Sequence, residues 1–275
     1  AINCGNNLAI ANKETLVAAG KIFINKSKEK NAKILPVDSE HSAIFQCLNN
    51  KNISNLDYIT LTASGGPFLN TPLNQFKNIK PRDAINHPIW KMGQKISVDS
   101  ATMINKALEI IEASVLFNLN SNQIDVVVHP EHIVHGLVHY KDGSTIANLG
   151  LPDMITPISV ALNWPNRLDL NLTKMSLTNI SKLSFFEPDL KKFPGLKLGW
   201  EALKSPYCSP VVLNASNEIA VDCFLKNKIQ FTEIFNIVED TLNFYNPAKP
   251  QNIDDVIETD KIARKHALKI IDKVK

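Results

Sequence analysis

The sequence of 275 residues has few of the features that mark disulfide-rich, membrane-spanning or nucleic-acid-binding proteins. Its cysteines form no C-x-x-C pair and are scattered, at Cys4, Cys47, Cys208 and Cys223, which favours reduced thiols in a cytoplasmic protein. No apolar run approaches about 18 residues and no signal peptide opens the chain, so we expect a soluble protein with no membrane partner. The net charge is only +3 and no Lys/Arg cluster is interleaved with aromatic residues, which argues against a nucleic-acid partner.

What is present is an ordinary globular composition, 44% hydrophobic and 21% charged, that begins with alternating strands and helices. This alternation predicts a parallel sheet with right-handed crossovers, in which ligands gather at the carboxyl ends of the strands. Polar residues follow each of the first three predicted strands: Asn12-Lys13-Glu14, Asp38-Ser39-Glu40-His41 and Ser64-Gly65-Gly66. The predicted strands are 7–11, 32–37 and 58–62, and the predicted helices are 14–27 and 39–48.

The rest of the chain predicts a mixed sheet and a helical end. Residues 69–94 contain three prolines and little periodicity, which is typical of a functional lid. A tight turn at Asp142-Gly143 adds antiparallel strands, so the fold class is α/β: a mixed-sheet catalytic domain with a long flexible loop, then a C-terminal helical bundle. The further predicted strands are 124–129, 133–140 and 144–149, and the further helices are 151–163, 196–204, 211–227, 232–245 and 254–273.

Residues 97–112 are the most informative stretch. They predict a short strand running into a helix, with Asp99 or Ser100 as the N-cap. One face of that helix carries four polar residues: Thr102, Asn105, Lys106 and Glu109. The hydroxyl, amide and ammonium groups near the helix N-terminus suit a phosphate. The carboxylate of Glu109, one turn further along, suits a metal or a proton. A solvated face of an amphipathic helix is the alternative.

Asp38 and Glu40 flank a serine at a strand-to-helix corner. Two carboxylates this close repel unless a cation lies between them or one is protonated, and ligands that are all oxygen suit Mg²⁺ or Mn²⁺. Helix capping by Asp38 or Ser39, with Glu40 in the first turn, explains the same residues equally well. Ser64-Gly65-Gly66 would let backbone amides approach an anion closely, but on its own this short motif is more often an ordinary turn.

Other polar residues have simpler interpretations. A zinc site among His129, His132, His135 and His139 is disfavoured, because no cysteine or carboxylate cluster accompanies these histidines. Trp90 is more typical of a packed anchor than of a lid tip. The last group is most simply a solvated or domain-facing edge of its helix: Asn214, Asn217 and Glu218.

Seven motifs occur in one order along nearly the whole chain, and together they are far more specific than any one alone. The sequence resembles the 1-deoxy-D-xylulose 5-phosphate reductoisomerase family. The resemblance implies an enzyme of the non-mevalonate isoprenoid pathway, in which a divalent metal chelates the sugar phosphate, the carbon skeleton rearranges, and NADPH reduces the aldehyde to 2-C-methyl-D-erythritol 4-phosphate. The motifs are Ala11-Asn12-Lys13-Glu14, Pro36-Val37-Asp38-Ser39-Glu40-His41, Ser64-Gly65-Gly66-Pro67-Phe68, His87-Pro88-Ile89-Trp90-Lys91-Met92-Gly93, Val98-Asp99-Ser100-Ala101-Thr102-Met103, Asn105-Lys106 and Leu213-Asn214-Ala215-Ser216-Asn217-Glu218.

By position, the resemblance implies roles for individual residues. The metal ligands are Asp38, Glu40 and Glu109, which together with Lys13 are the catalytic residues. The phosphate contacts are Ser64, Ser100, Asn105 and Lys106; the remaining substrate contacts are Lys13, Ser39, His87 and His135, with Trp90 covering the substrate from the loop. The residues at the nicotinamide end of NADPH are Asn12, Glu14, Gly93 and Met154. The family also implies a homodimer.

The sequence departs from the family pattern in two places. His132 stands where a small hydroxyl residue is expected, and no G-x-G-x-x-G nucleotide-binding loop occurs. We therefore predict four regions: 1–37, the end of the NADPH-binding domain; 38–163, the catalytic domain; 164–196, a linker; and 197–275, the C-terminal bundle. We expect this chain alone to bind metal and sugar phosphate with little NADPH turnover. A non-catalytic binding or dimerisation remnant is the alternative; a nucleotide-independent lyase or isomerase has no motif of its own.

Overall fold

Two sheets organise the strands of the computed structural model, which describes residues 1–48 and 53–274. The first sheet has two parallel strands, β1 and β2, and the second has four strands in the order β4-β3-β5-β6. Strands β3 and β4 are parallel, whereas β5 pairs antiparallel with both β3 and β6. The strands are β1 (Leu8–Ile10), β2 (Ile34–Pro36), β3 (Leu56–Ala63), β4 (Ile124–Val128), β5 (Val134–Tyr140) and β6 (Thr145–Leu149).

Eleven α-helices lie in the described ranges. They are α1 (Lys13–Glu29), α2 (Ser39–Cys47), α3 (Pro81–Ala84), α4 (Gln94–Thr102), α5 (Ile104–Phe117), α6 (Ile155–Asn163), α7 (Leu177–Ile180), α8 (Lys197–Lys204), α9 (Ser209–Leu225), α10 (Phe231–Phe244) and α11 (Ile253–Val274). The predicted α/β class, with a mixed sheet and a helical C-terminal part, is confirmed. No helix among residues 1–48 and 53–274 is both long and apolar enough to cross a bilayer.

The chain divides into two compact units, each built from separated segments. Unit 1 contains residues 1–13, 24–64 and 116–188, and unit 2 contains residues 14–23, 65–115 and 189–275. The functional domain boundaries given above concern roles and stay predictions.

Unit 1 has its core between α2 and the four-stranded sheet. Ile59 and Leu61 of β3 are fully buried, as β-branched and leucine side chains on a central strand should be. Helix α2 packs closely on β5, because a Cβ at Gly136 would lie 2.8 Å from the Ile44 side chain. The Glu40 carbonyl oxygen would lie 3.3 Å from the same Cβ, so the first turn of α2 packs on β5 as well.

Unit 2 is built around α5 and α9. Helix α5 is buried on nearly every side, which its apolar run explains, and a Cβ at Gly199 of α8 would lie 2.6 Å from the Ala107 carbonyl oxygen. Helix α9 contacts α8, α10 and α11. A group of edge-to-face and tilted aromatic rings closes the unit around Phe68, Phe76, Phe193, Phe224 and Phe231.

The stretch 97–112 differs from its prediction. It contains no strand: residues 94–102 form α4, the chain turns at Met103 with φ of 62°, and α5 begins at Ile104. Thr102 and Asn105 do not belong to one helix, because the chain breaks at Met103 between them, and the Thr102 hydroxyl donates to the carbonyl oxygens of Val98 and Asp99. The first turns of this stretch are buried on all sides, so they lack the 3.6-residue periodicity that identifies a surface helix.

Candidate functional site

The residues after β1 and β2 come together at one edge of the two-stranded sheet. The strands are parallel with Ile10 opposite Pro36, so the chain leaves both strands at the same edge. Lys13 in the first turn of α1 and Asp38 before α2 are thereby neighbours, with Lys13 Nζ 2.6 Å from Asp38 Oδ2. The predicted convergence at the strand ends therefore holds for this pair.

Asp38 is held as an anion. Burial opposes its charge, but Lys13 and the nearby His41, whose Nδ1 lies 3.8 Å away, keep the pKa of the Asp38 carboxyl well below its usual range. Asp38 occupies the N-cap of α2, yet within the described chain its side chain makes no capping hydrogen bond. Capping therefore does not account for this carboxylate.

Glu40 supplies a second carboxylate beside Asp38. The ligand oxygens of the two residues lie within 4.8 Å of one another, and Glu40 is itself buried. The Ser39 hydroxyl donates to Glu40 Oε2 at 2.6 Å, and His132 Nε2 lies 4.0 Å from Glu40 Oε1. Buried Glu40 and largely buried Asp38 offer carboxylate oxygens close together, which fits a hard divalent cation.

The four histidines of the strand region have different surroundings. His129 is fixed in the structure: its Nδ1 donates to the Ser184 carbonyl oxygen at 2.8 Å, and its Nε2 accepts from two backbone amides. His139 stacks on Tyr58, at the other end of β5 from His135. His132 and His135 are buried with ring centroids 5.6 Å apart, and His135 Nε2 lies 3.3 Å from the Gly150 carbonyl oxygen.

In unit 2, the first turns of α5 bring three candidate residues together. Glu109 accepts from Asn105 Nδ2 through one carboxylate oxygen and from Lys106 Nζ through the other. Lys106 and Glu109 are both almost fully buried, so this is a desolvated ion pair rather than a solvated helix face. The interpretation as a solvated face is wrong for these two residues.

Ser100 lies in the last turn of α4, not at a helix N-cap as predicted. Gly66 packs directly against it, because a Cβ at Gly66 would lie 2.7 Å from the Ser100 carbonyl oxygen. Gly65 and Gly66 both have positive φ, which only glycine adopts readily. Ser64, in unit 1, is buried at the end of β3.

His87 and Trp90 lie in the segment before α4, which also contains α3 and a 3₁₀ helix over Leu73–Asn78. His87 Nδ1 accepts from the backbone amides of Ile89 and Trp90, so the neutral ring carries its proton on Nε2. Burial lowers the pKa of His87 to about 4. His87 is thus a neutral hydrogen-bond donor at physiological pH.

The candidate cofactor contacts belong to different elements of the chain. Glu14 lies in the first turn of α1 and pairs with Lys95 at 2.8 Å, and Gly93 is the N-cap of α4. Met154 is the partly exposed N-cap of α6, and Asn12 is an exposed residue after β1. The structure thus joins Glu14 to a residue that the sequence reasoning did not single out.

Two functional candidates were missed or misjudged from the sequence. Lys95 was overlooked, although its spacing of four from Asp99 is a recognisable helical ion-pair pattern. Asn217 is fully buried and donates to Asp99 at 2.7 Å, so the solvated-edge interpretation is wrong for this residue. No sequence signal links positions 118 residues apart.

Two family models match the chain: "1-deoxy-D-xylulose 5-phosphate reductoisomerase C-terminal domain" over residues 34–117, and "DXP reductoisomerase C-terminal domain" over residues 149–266. Among curated proteins, the 1-deoxy-D-xylulose 5-phosphate reductoisomerase of Ruthia magnifica is 50% identical over 271 residues, which cover 98% of this chain and 70% of that protein. The enzyme of the same name from Ehrlichia canis is 48% identical over 269 residues, covering 97% and 70%.

Solved structures give the same result. The Zymomonas mobilis enzyme in complex with NADPH superposes with a TM-score of 0.93 and 44% identity, covering 98% of this chain and 70% of that one. A DOX-P reductoisomerase in complex with NADPH, fosmidomycin and magnesium superposes with a TM-score of 0.92 and 41% identity, covering 99% and 72%.

Proposed function

Because the chain belongs to the 1-deoxy-D-xylulose 5-phosphate reductoisomerase family, we propose that it binds the metal and the sugar phosphate in the conversion of 1-deoxy-D-xylulose 5-phosphate to 2-C-methyl-D-erythritol 4-phosphate. The family's enzymes are NADPH-dependent and act in isoprenoid synthesis. The observation that carries the proposal is the buried Lys13–Asp38 pair with Glu40 beside it. Burying charged side chains costs free energy, and such groups cluster at functional sites.

The proposed metal ligands are Asp38, Glu40 and Glu109, and the proposed metals are Mg²⁺ or Mn²⁺. All three side chains offer carboxylate oxygens, the donors that these cations prefer, and two related structures hold magnesium. A bound cation would supply a Lewis acid and a template for two adjacent substrate oxygens. Asp38 is ready for this role because its low pKa keeps it deprotonated at neutral pH.

Two lysines would exchange partners when metal and substrate bind. Lys13 Nζ and Lys106 Nζ contact the carboxylates of Asp38 and Glu109, which are proposed ligands. A divalent cation competes with these ammonium groups for the same oxygens. Each ammonium would then turn to the substrate: Lys106 to the phosphate and Lys13 to the reacting hydroxyl and carbonyl end.

The remaining substrate contacts hold the molecule in place for reaction. We assign Ser64, Ser100 and Asn105 to the phosphate together with Lys106, because hydroxyl, amide and ammonium donors complement phosphate oxygens. His87 would donate from Nε2 as a neutral ring. Binding of a phosphate that does not itself react fixes the orientation of the carbons that do. The other proposed contacts are Ser39, His135 and a covering Trp90.

NADPH is the proposed hydride source, as in the related structures that contain it. The proposed contacts at its nicotinamide end are Asn12, Glu14, Gly93 and Met154. The predicted region boundaries, with the catalytic part at 38–163 and the bundle at 197–275, are proposed on the same basis. We also propose a cytoplasmic location, consistent with the scattered cysteines.

We propose that two copies of the chain pair through the β6 edge and α6. Strand β6 is an outer strand of its sheet, with Ile146 exposed on it. Helix α6 exposes Ile155, Ile158 and Leu162, the last with 74% of its surface accessible. An open strand edge and an exposed apolar helix face are both typically covered in stable proteins, and a second copy is the simplest cover. Light scattering of wild type and Leu162→Lys tests this: wild type should be dimeric and the variant should dissociate.

The site proposal is tested by calorimetry. Mg²⁺, then fosmidomycin, a sugar-phosphate analogue, are titrated into wild type and into Asp38→Asn, Glu109→Gln and the control Glu187→Gln, an exposed carboxylate. We expect wild type and the control to bind both, and the two site variants to lose Mg²⁺ affinity by about tenfold or more. NADPH oxidation followed in parallel separates binding from turnover. Failure of wild type to bind either ligand would favour a remnant that only dimerises.

A further inference from the structure

Four polar side chains of unit 2 form a continuous series of contacts, and three of them, Lys95, Asp99 and Asn217, have no place among the proposed ligand contacts. Lys95 Nζ lies 2.8 Å from Glu14 Oε1 of α1 and 2.8 Å from Asp99 Oδ2 one turn along α4. The other oxygen of Asp99, Oδ1, accepts from Asn217 Nδ2 of α9 at 2.7 Å. We name Glu14, Lys95, Asp99 and Asn217 the α4 network.

The α4 network fixes the Asp99 side chain completely. Asp99 is 1% exposed and Asn217 is 0% exposed, so neither has access to water as an alternative partner. An ionised carboxylate only accepts hydrogen bonds, so Asn217 must present its amide nitrogen to Asp99. The two oxygens of one carboxylate therefore tie α4 to α1 through Lys95 and to α9 through Asn217.

Stability alone is a poor reason to retain this arrangement. A buried carboxylate costs much to desolvate, and well-packed apolar residues in its place are often as stabilising. What the network adds is geometric precision, because directional polar contacts allow one arrangement of the three helices whereas apolar packing tolerates several. The precision applies to α4.

Helix α4 carries Ser100 directly after Asp99. On its other side the Ser100 carbonyl oxygen is so close to Gly66 that a Cβ there would lie 2.7 Å away. The backbone at Ser100 is thus confined between Gly66 and the α4 network. A shift of α4 by a fraction of an ångström would move the Ser100 hydroxyl by the same amount.

We propose that Lys95, Asp99 and Asn217 are positioning residues that place the Ser100 hydroxyl for the substrate's phosphate group. This inference rests on the proposed function, in which Ser100 contacts that phosphate. Lys95 has a second effect, because it also holds the Glu14 carboxylate, which is proposed to face the cofactor. Through Asn217, the helical C-terminal part of unit 2 contributes to substrate affinity without touching the substrate.

Helix α9 provides a matched control. Glu218, the residue after Asn217, accepts from Arg264 of α11 at 2.6 Å. Glu218→Gln therefore weakens a polar contact of the same helix that leads to α11 and not to α4. A general loosening of α9 affects both variants, whereas a positioning role affects only variants of the α4 network.

The test compares fosmidomycin and Mg²⁺ affinities by calorimetry in wild type, Lys95→Met, Lys95→Arg, Asn217→Leu and Glu218→Gln. We expect Lys95→Met and Asn217→Leu each to weaken fosmidomycin binding by roughly tenfold, since small misplacements of a binding group have effects of this size. Mg²⁺ affinity should stay within about twofold of wild type in all variants, and Lys95→Arg should recover part of the loss. The double variant Lys95→Met/Asn217→Leu should bind fosmidomycin no more weakly than the poorer of the two single variants, because both substitutions act through Asp99.

Each outcome decides the proposal. If folded Lys95→Met binds fosmidomycin as wild type does, or if Glu218→Gln weakens binding equally, the positioning role is wrong and the proposed function stands. If wild type itself does not bind fosmidomycin, the proposed function fails and the positioning role with it. Should Asn217→Leu not fold, the Lys95 variants still carry the test, because the Lys95 side chain is partly exposed.

Discussion

Two groups of ion-paired side chains in unit 2 use the same chemistry at different degrees of burial. In α5, Lys106 and Glu109 have side chains that are 4% and 1% exposed. Between α9 and α11, Arg264 pairs with Glu218 and Asp260, and these three side chains are about one-third exposed. In both groups a lysine or arginine faces a carboxylate, and both groups include a pair at helical spacing. They therefore differ mainly in how far the side chains are exposed to water.

Burial changes what an ion pair contributes to the protein. A solvent-exposed pair gains little, because water screens the attraction and both side chains lose freedom. A buried pair has a large desolvation cost that its attraction barely offsets, and removing one partner leaves a bare charge in a medium that solvates it poorly. The pair in α5 is therefore a poor means of stabilisation and a good means of keeping charges where a ligand needs them. The same holds for Lys13 and Asp38 in unit 1.

The strongest test of this comparison is Lys106→Met, which leaves Glu109 buried without its ammonium partner. We expect the free energy of unfolding to fall by about 3 to 5 kcal/mol, measured by urea denaturation followed by circular dichroism. The double variant Lys106→Met/Glu109→Gln should recover most of the loss, because the bare charge is gone. Lys226→Met, which removes an exposed pairing with Asp222, is the control and should behave as wild type. Equal losses in the single and double variants would contradict the argument.

Lys13→Met tests the same principle in unit 1 through pH. In wild type the low pKa of Asp38 means that its contribution to stability is complete above the pKa of the unfolded carboxyl and is lost as pH falls through the folded value. Without Lys13, burial dominates and the pKa of Asp38 rises. The acid limb of the stability curve should move to higher pH, with a loss of about 2 to 4 kcal/mol at pH 7.

The control for Lys13→Met is Lys26→Met, which removes an exposed pairing with Glu29. Its acid limb should overlie that of wild type. An unshifted acid limb in Lys13→Met would mean that His41 alone holds Asp38 ionised.

His87 extends the comparison to a buried group that is kept neutral. Its pKa is about 4 in the folded chain because of burial, against about 6.5 when unfolded, so the unfolded state binds more protons between these values. Stability should therefore fall as pH decreases from about 6.5 to 4, by roughly 2 kcal/mol after allowance for screening. His87→Gln should remove this part of the slope in a pH series of urea denaturations. A slope that persists in His87→Gln would assign it to another group.

The fold was more predictable than the contacts that matter at the site. Helices α9 to α11 were predicted to within about two residues. The apolar periodicity of α10 and α11 is regular, whereas α9 was recognisable from its long apolar run. The α4–α5 break was missed, since Met103 adopts positive φ without being glycine and nothing local announces it. Chemistry at the strand ends was predictable from topology, whereas the Asp99–Asn217 contact joins two helices far apart in sequence.

The smallest expected effect is that of Arg264→Met, which measures the cost of losing an exposed cation against the cost of losing buried Lys106. Arg264 contacts two carboxylates, Glu218 and Asp260, so on pairing alone its removal should cost at least as much as removal of Lys106, which pairs with Glu109. By exposure it should matter less, because the carboxylates left behind can be solvated by water. We expect a loss of about 1 kcal/mol or less in urea denaturation, shrinking further at high salt as screening replaces the ion pairs. If Arg264→Met cost as much as Lys106→Met, pairing itself rather than burial would govern the cost of losing these cations, and the argument that links burial to function at α5 would lose its basis.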